Sequence, residues 1–132
     1  FDVLLINGHG IAHPRGCGLA TCVGLELDVP TIGVAKRALV GKIGEQKGAW
    51  ALLLYEGRVI GAEIKREGHS PIYASVGHMI SLESSVETVL TTLSNDLLPE
   101  PLAQAHIEAI RIKKERVRAP GSSVEGVLRD YR

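Results

Sequence analysis

Two stretches of the chain, Val3-Leu4-Leu5-Ile6-Asn7-Gly8-His9-Gly10 (residues 3–10) and Pro30-Thr31-Ile32-Gly33-Val34-Ala35 (residues 30–35), decide its fold class. Each contains a short apolar run with β-branched residues, which is typical of a strand buried on both faces of a parallel sheet. Residues 16–27, which lie between them, are apolar nearly all round and predict a buried helix. A strand, a helix and a strand within about 35 residues indicate a βαβ unit.

The segment after this unit predicts antiparallel strands. The apolar runs at 49–55 and 58–64 flank the two residues Glu56-Gly57. A two-residue connection that contains glycine between two such runs predicts a β-hairpin. Residues 72–76 predict one further short strand. The sheet is therefore expected to be mixed, with parallel and antiparallel pairs.

Two helices are expected in the last third of the chain. From Leu82 the apolar residues follow helical spacing, and the N-cap is either Ser81 or, one turn later, Ser84 in a capping box. A final helix starts at residues 99–101 and has a basic end. The sequence thus predicts an α/β fold, a mixed sheet flanked by helices, with one domain over residues 1–118 and a C-terminal tail over residues 119–132.

Length, composition and charge exclude several classes of protein. The chain has 132 residues, enough for one domain, and 45% of them are hydrophobic, enough for a core. Lys plus Arg and Asp plus Glu each number 15, so the net charge of zero argues against a globally basic coat protein of nucleic acid. No apolar run is long enough for a membrane span, so no membrane partner is expected.

The two cysteines and the first residue bear on location and processing. Two cysteines make no disulfide framework, and a reducing cytoplasm is the expected location. Residue 1 is Phe and the only methionine is Met79. We therefore expect the chain to be a trimmed or processed piece.

The segment Asn7-Gly8-His9-Gly10-Ile11-Ala12-His13-Pro14-Arg15-Gly16 follows a predicted strand and precedes a predicted helix. Ligands bind at such loops in open α/β sheets, glycines let the backbone approach them, and Arg15 could hold a phosphate. The segment is not a dinucleotide fingerprint, since His13 occupies the sixth position of the pattern, nor a phosphate-binding P-loop. The alternative is a glycine-rich turn with surface histidines.

Two further groups of residues have both a chemical and a structural interpretation. His13, Cys17 and Cys22 are candidate metal ligands, but on a helix the two thiols would point about 140° apart, which favours two buried small residues. His78, between a predicted strand and a capped helix, is a candidate general base or metal ligand, or a histidine with ordinary structural contacts.

These segments, taken together and in order, resemble the endonuclease V family of inosine-specific nucleases, which has a ribonuclease H-like fold. The resemblance runs from Asp2 to about His106. The segments that carry it are 2–15, 18–20, 30–36 and 75–82, with a weaker match at 101–102 and 105–106.

The resemblance implies an Mg²⁺-dependent (or Mn²⁺-dependent) endonuclease that cuts DNA or RNA near a deaminated adenine, in DNA repair or RNA processing. Asn7 stands at the position of a metal-binding aspartate of the family. Lys36 stands where a lysine contacts the scissile phosphate, and His78 where a histidine assists the attacking water. The residues expected to bind nucleic acid are Gly8, His9, Gly10, His13, Arg15 and Ser75.

The chain departs from the family in two ways. Asn7 replaces a carboxylate, and the family has an upstream segment with a further metal-binding Asp, a catalytic Glu and the first strands of the sheet. We therefore expect an open sheet edge that a second copy or another chain covers. Three hypotheses follow: a nuclease of the endonuclease V type, a non-catalytic relative that binds inosine-containing or distorted nucleic acid, and an interaction domain. The nuclease hypothesis expects Asn7, Lys36 and His78 to meet in one pocket.

Overall fold

The strands form one six-stranded mixed sheet, as expected for the α/β class. The computed structural model describes residues 2–94 and 98–118. The strands are β1 (Leu4–Asn7), β2 (Thr31–Ala35), β3 (Lys42–Lys47), β4 (Trp50–Tyr55), β5 (Arg58–Arg66) and β6 (His69–His78), and the helices are α1 (Leu19–Leu27), α2 (Leu82–Thr92) and α3 (Glu100–Arg118). The strand order is β1-β2-β6-β5-β4-β3, in which β1 and β2 are parallel and every other neighbouring pair is antiparallel.

The predicted βαβ unit is present as β1, α1 and β2. All five residues of β2 are buried, because β1 and β6 flank the strand and its two faces are covered. β1 is only half-buried, contrary to the expectation for both strands, because it lies at the end of the sheet. Within the described residues no strand pairs with the outer edge of β1, so the open edge expected from the sequence is present there.

The hairpin predicted around Glu56-Gly57 joins β4 and β5. Both turn residues have positive φ, 49° and 75°, as a two-residue turn matching the twist of its strands requires. The strand predicted at residues 72–76 is longer than expected and spans residues 69–78. β3 was not predicted, because five of the six residues of Lys42–Lys47 are exposed and the strand pairs only with β4.

The three helices begin close to the predicted positions. α2 uses Ser81 as its N-cap, whose Oγ accepts a hydrogen bond from Ser84 N at 3.1 Å, so the alternative cap at Ser84 is wrong. α1 begins at Leu19, and the expectation that it is buried is also wrong: only Ala20 and Gly24 are buried. Leu25 on this helix is 58% exposed.

The main apolar core lies between the sheet and helices α2 and α3. It is formed by buried residues of β2, β5, β6, α2 and α3, among them Ile32, Val34, Ile64, Ile72, Val86, Val89 and Leu102. A second, smaller cluster of buried apolar residues consists of Ala12, Leu53 and Ile60. The predicted tail at 119–132 lies outside the described residues. None of the described helices combines the length and the apolar character that a membrane span requires.

Candidate functional site

The segment from Gly8 to Gly18, which we call the glycine loop, folds back over the sheet after β1. Gly8 N donates to Val34 O at 2.9 Å, and Ile11 N donates to Val76 O at 2.8 Å. Near its end, Gly18 N donates to Gly10 O at 2.9 Å, which closes the loop on itself. The loop is therefore held by backbone groups of β2 and β6 and leads directly into α1.

A glycine in the middle of β2 makes room for this loop. A Cβ atom at Gly33 would lie 2.5 Å from Gly10 N and 2.7 Å from Gly8 O. A Cβ atom at Gly10 would lie 1.9 Å from Val76 O. Because real Cβ atoms do not approach backbone this closely, both glycines are required for the loop to lie against the strands. Gly33 was not among the residues predicted to matter for the site, although an isolated glycine within a buried strand is a known sign of close backbone approach.

Ser75 supports the glycine loop from below. It is 2% exposed, and its Oγ accepts a hydrogen bond from Gly10 N at 2.8 Å. The glycine loop covers the Ser75 side chain, and the contact of Ser75 with nucleic acid stays a prediction. The hydrogen bond from Gly10 N to Ser75 Oγ holds Gly10 against β6.

Polar side chains gather where β1 and β2 end. Asn7 is exposed and pairs in register with Val34, and Lys36, also exposed, follows β2 directly. At the rise of an extended strand, Lys36 lies about 7 Å beyond the level of Asn7. The Arg37 backbone is close enough to the His9 imidazole to raise its pKa, which places the loop beside the segment after β2.

The pKa of His9 is lowered by its surroundings in the loop. Burial lowers the pKa of His9, the Arg37 backbone opposes this, and the charge of His13 lowers the pKa further. The Nδ1 atom of His13 accepts a hydrogen bond from Arg15 N at 3.2 Å. In its neutral form His13 therefore carries its proton on Nε2, where it can donate to a ligand. The guanidinium of Arg15 is exposed nearby.

His78 is level with the start of β2, whereas Asn7 is level with Val34 near its end, so the pocket shared by Asn7, Lys36 and His78 stays a prediction. His78 pairs with Thr31, because β6 runs antiparallel to β2. Three residue steps along β2, from Thr31 to Val34, separate this level from that of Asn7, a distance of about 10 Å along the strand. The Nε2 atom of His78 lies 3.6 Å from Asp28 Oδ1.

The described residues do not fit a magnesium site. Neither residues 2–94 nor residues 98–118 contribute to any group of three or more His, Cys, Asp or Glu side chains that could hold a metal ion. Asn7 offers one neutral amide oxygen, whereas protein-bound Mg²⁺ is usually held by at least one carboxylate. A metal at this end of the sheet would need ligands beyond those that the structure describes.

A tyrosine–glutamate pair lies below another part of the glycine loop. The hydroxyl of Tyr73 donates to Glu63 Oε2 at 3.0 Å, and the ring packs against the small cluster that contains Ala12 of the loop. Burial raises the pKa of Tyr73, and the hydrogen bond to Glu63 raises it further. The hydroxyl therefore stays protonated and keeps donating at neutral pH. The pair is a fixed support under the loop.

The structure corrects the prediction that the thiols of Cys17 and Cys22 are buried and point apart on one helix. Cys17 precedes the helix, so the two thiols are not on one helix and do not diverge. Their sulfur atoms lie 3.3 Å apart, and both residues are exposed rather than buried. The hydrogen bond with Cys22 raises the pKa of the Cys17 thiol.

This chain is similar to one known protein family, and to individual members of it, over most of its length. The family model for endonuclease V matches residues 1–107. An endonuclease V of Gloeobacter violaceus is 42% identical over 120 residues, which are 87% of this chain and 49% of that protein. An endonuclease V of Thermus thermophilus is 44% identical over 119 residues, or 86% and 53% of the two chains. The chain spans about half the length of these relatives.

Solved structures show the same similarity. The crystal structure of an endonuclease V from Streptomyces avermitilis matches with a TM-score of 0.78 at 32% identity, over 87% of this chain and 52% of that one. An endonuclease V of Ciona intestinalis, in complex with DNA containing an inosine followed by a ribo-adenosine, matches with a TM-score of 0.75 at 26% identity. That match covers 86% of this chain and 55% of the Ciona chain.

Proposed function

The chain belongs to the endonuclease V family, with its ribonuclease H-like fold, and from this premise we propose that its glycine loop binds inosine-containing nucleic acid. The main support is the backbone packing of this loop on Gly33, which leaves the loop's outer side free beside exposed cationic residues. The Ciona relative was solved with inosine-containing DNA, which supports the same class of ligand.

The residues of the loop and of the strand ends have distinct proposed roles. Gly8 is half-buried and has no side chain that would keep a base from its backbone, whereas Gly10 is buried against Val76 O and sets the position of the loop on the sheet. His13 donates from Nε2 to the base or to the sugar–phosphate chain. Lys36 and Arg15 are exposed cations that neutralise phosphate charge. His9, partly buried against the Arg37 backbone, holds the loop near Lys36.

Cleavage is proposed to need groups beyond the described residues. A metal-dependent nuclease holds its ion with carboxylates, and the ion neutralises the phosphate and activates water. Asn7 supplies neither a charge nor a second ligand. We therefore propose that the described part of the chain is the nucleic-acid-binding portion of an inosine-directed endonuclease, and that by itself it binds without cutting.

The free edge of β1 is the proposed contact for a partner. Its outer backbone groups have no strand beside them within the described residues. Open edges readily pair with another strand. We propose that a strand from a second copy or from another chain adds there. A cysteine count of two, too small for a disulfide framework, supports a cytoplasmic location for the protein.

Binding and nicking assays test the proposal. Duplexes and single strands of DNA and RNA, each with one inosine or with adenine at the same position, are titrated by fluorescence anisotropy and incubated with Mg²⁺ or Mn²⁺. We expect tighter binding of inosine-containing strands and no nicking by the parent chain. Lys36→Ala should weaken binding, whereas Lys114→Ala, at an exposed position on α3, is the matched charge control.

The variant Asn7→Asp separates binding from cleavage. It restores the carboxylate at this position but still offers only one, so binding should be retained and nicking should stay absent. Nicking by the parent chain would contradict the proposed division between binding and cutting. Equal affinity for inosine and adenine would contradict the proposed ligand.

A further inference from the structure

Two exposed thiols face each other where the glycine loop meets α1. The sulfur atoms of Cys17 and Cys22 lie 3.3 Å apart, within contact distance. Both residues are exposed and unbridged. Neither is needed for the fold's core, and the proposed function uses neither of them.

The backbone explains why residues five apart in sequence meet. Cys17 directly precedes the N-cap residue Gly18, while Cys22 lies one helical turn further, with its N–H donating to Gly18 O at 3.0 Å. Gly16 has a φ of 68°, a conformation that favours glycine and turns the chain just before Cys17. The two side chains thus project from the same side of the first helical turn.

We propose that Cys17 and Cys22 form a reversible disulfide that locks the end of the glycine loop onto α1. A disulfide bond is about 2 Å long, so the sulfurs must approach by about 1.3 Å, which exposed side chains achieve by rotation. A metal is the less suitable occupant, since no group of three or more potential ligands occurs within residues 2–94 or 98–118.

The oxidant that the proposal requires is a small-molecule disulfide, such as oxidised glutathione. One cysteine loses its proton, and its thiolate attacks the small disulfide, forming a mixed disulfide and releasing one thiolate. The second cysteine then loses its proton and attacks the protein sulfur of that mixed disulfide. The ring closes and a second thiolate leaves. Two electrons pass from the protein to the small disulfide, which departs as two thiols after protonation.

The bond would restrict the exposed turn at Gly16. Gly16 has open space around it, and its N–H donates to His13 O within the loop at 2.8 Å. Gly18 N–H, bonded to Gly10 O, connects the loop's two ends. Tying residue 17 to residue 22 removes the freedom of the turn at Gly16. The inference is independent of the proposed function, because its readouts use no nucleic acid.

Redox titration with mass spectrometry tests the bond. The folded chain is equilibrated with mixtures of reduced and oxidised glutathione, quenched with acid and weighed intact. We expect the loss of two hydrogens with no bound glutathione, reversed by dithiothreitol. Cys17→Ser and Cys22→Ser are the controls: each should take up one glutathione, which shows that both sulfurs are reachable.

The same titration in urea tests whether the folded structure favours the disulfide between Cys17 and Cys22 over the unfolded chain. The equilibrium constant for ring closure should be at least about tenfold larger in the folded chain, equal to about 1.4 kcal/mol. Accumulation of the glutathione adduct, linkage between chains, or equal constants in the folded and unfolded chains would overturn the proposal.

Hydrogen exchange tests whether the disulfide restricts the motion of the glycine loop. Amides of residues 16–18 should exchange more slowly in the oxidised parent than in the reduced parent. A double Cys17→Ser, Cys22→Ser variant should show no such difference. If the bond forms but exchange at residues 16–18 is unchanged, the inference that it locks the loop is overturned.

Discussion

Replacing Gly33 by alanine should push the glycine loop off the sheet. The new Cβ would lie 2.5 Å from Gly10 N, whereas ordinary contact begins at 3.4 Å, so the loop must retreat by about 0.9 Å. That movement stretches the 2.8 Å hydrogen bond between Gly10 N and Ser75 Oγ beyond a useful length. The variant therefore suffers from steric overlap and from a weakened buried hydrogen bond.

The steric overlap and the weakened hydrogen bond together determine how much stability Gly33→Ala loses. Overpacking of a core position costs about 1–3 kcal/mol, and a lost hydrogen bond costs about 0.5–1.5 kcal/mol. We therefore expect Gly33→Ala to lower the free energy of unfolding by about 2–4 kcal/mol. With a urea dependence of about 2 kcal/mol per molar, the unfolding midpoint should fall by about 1–2 M. Urea titration followed by circular dichroism measures it.

Gly8→Ala is the matched control for this experiment. A Cβ at Gly8 would lie 3.5 Å from the Cβ of Leu19, an ordinary van der Waals contact. The substitution also reduces the freedom of the unfolded chain, which stabilises a protein by about 0.4–1 kcal/mol at an unstrained position. If Gly33→Ala unfolds at the same urea concentration as Gly8→Ala, the loop does not rest on Gly33 as described.

Three further predictions address the supports of the loop and the second histidine site. Ser75→Ala leaves the buried Gly10 N–H without an acceptor and should cost about 1–3 kcal/mol in urea unfolding, while the exposed control Ser84→Ala should cost less than about 0.5 kcal/mol. His78→Ala should leave affinity for inosine-containing DNA unchanged in anisotropy titrations; a loss of binding without a loss of stability would contradict the separation of His78 from Lys36. Because the pKa of His9 is lowered in the folded chain, the unfolded chain binds a proton at a higher pH than the folded chain does. The free energy of unfolding therefore keeps its full value above about pH 6.5, the ordinary pKa of histidine, and falls as the pH drops through the folded pKa. Urea midpoints at pH 7.5 and pH 5.5 measure this fall, which His9→Gln should reduce and the exposed control His69→Gln should not.

Local patterns in the sequence were sufficient for several elements of the fold. The buried run at Thr31–Ala35 and the turn at Glu56-Gly57 were predicted because strand burial and turn geometry depend on neighbouring residues. β3 was missed because its residues 42–47 are mostly exposed, so little apolar periodicity marks it. The burial of α1 was overestimated, since tertiary packing, not composition, decides which of its leucines are covered.

The candidate site was predicted in part for the same reason. Asn7, His9 and Lys36 lie at the same end of β1 and β2 because they end or follow two parallel strands, and parallel strands end at the same edge of a sheet. The position of His78 depends instead on the direction of β6, which becomes antiparallel to β2 only through the succession of hairpins from β3 to β6. No residue near His78 in the sequence carries that information.

The position of Asn7 limits where the groups that complete a metal site could come from. Asn7 ends β1, and β2 occupies one side of that strand. His78 is level with Thr31, three residue steps along β2 from Val34, the partner of Asn7. The other side of β1 has no strand beside it among residues 2–94 and 98–118. We propose that carboxylates joining Asn7 around an ion would approach across the free edge of β1, together with a strand that pairs there.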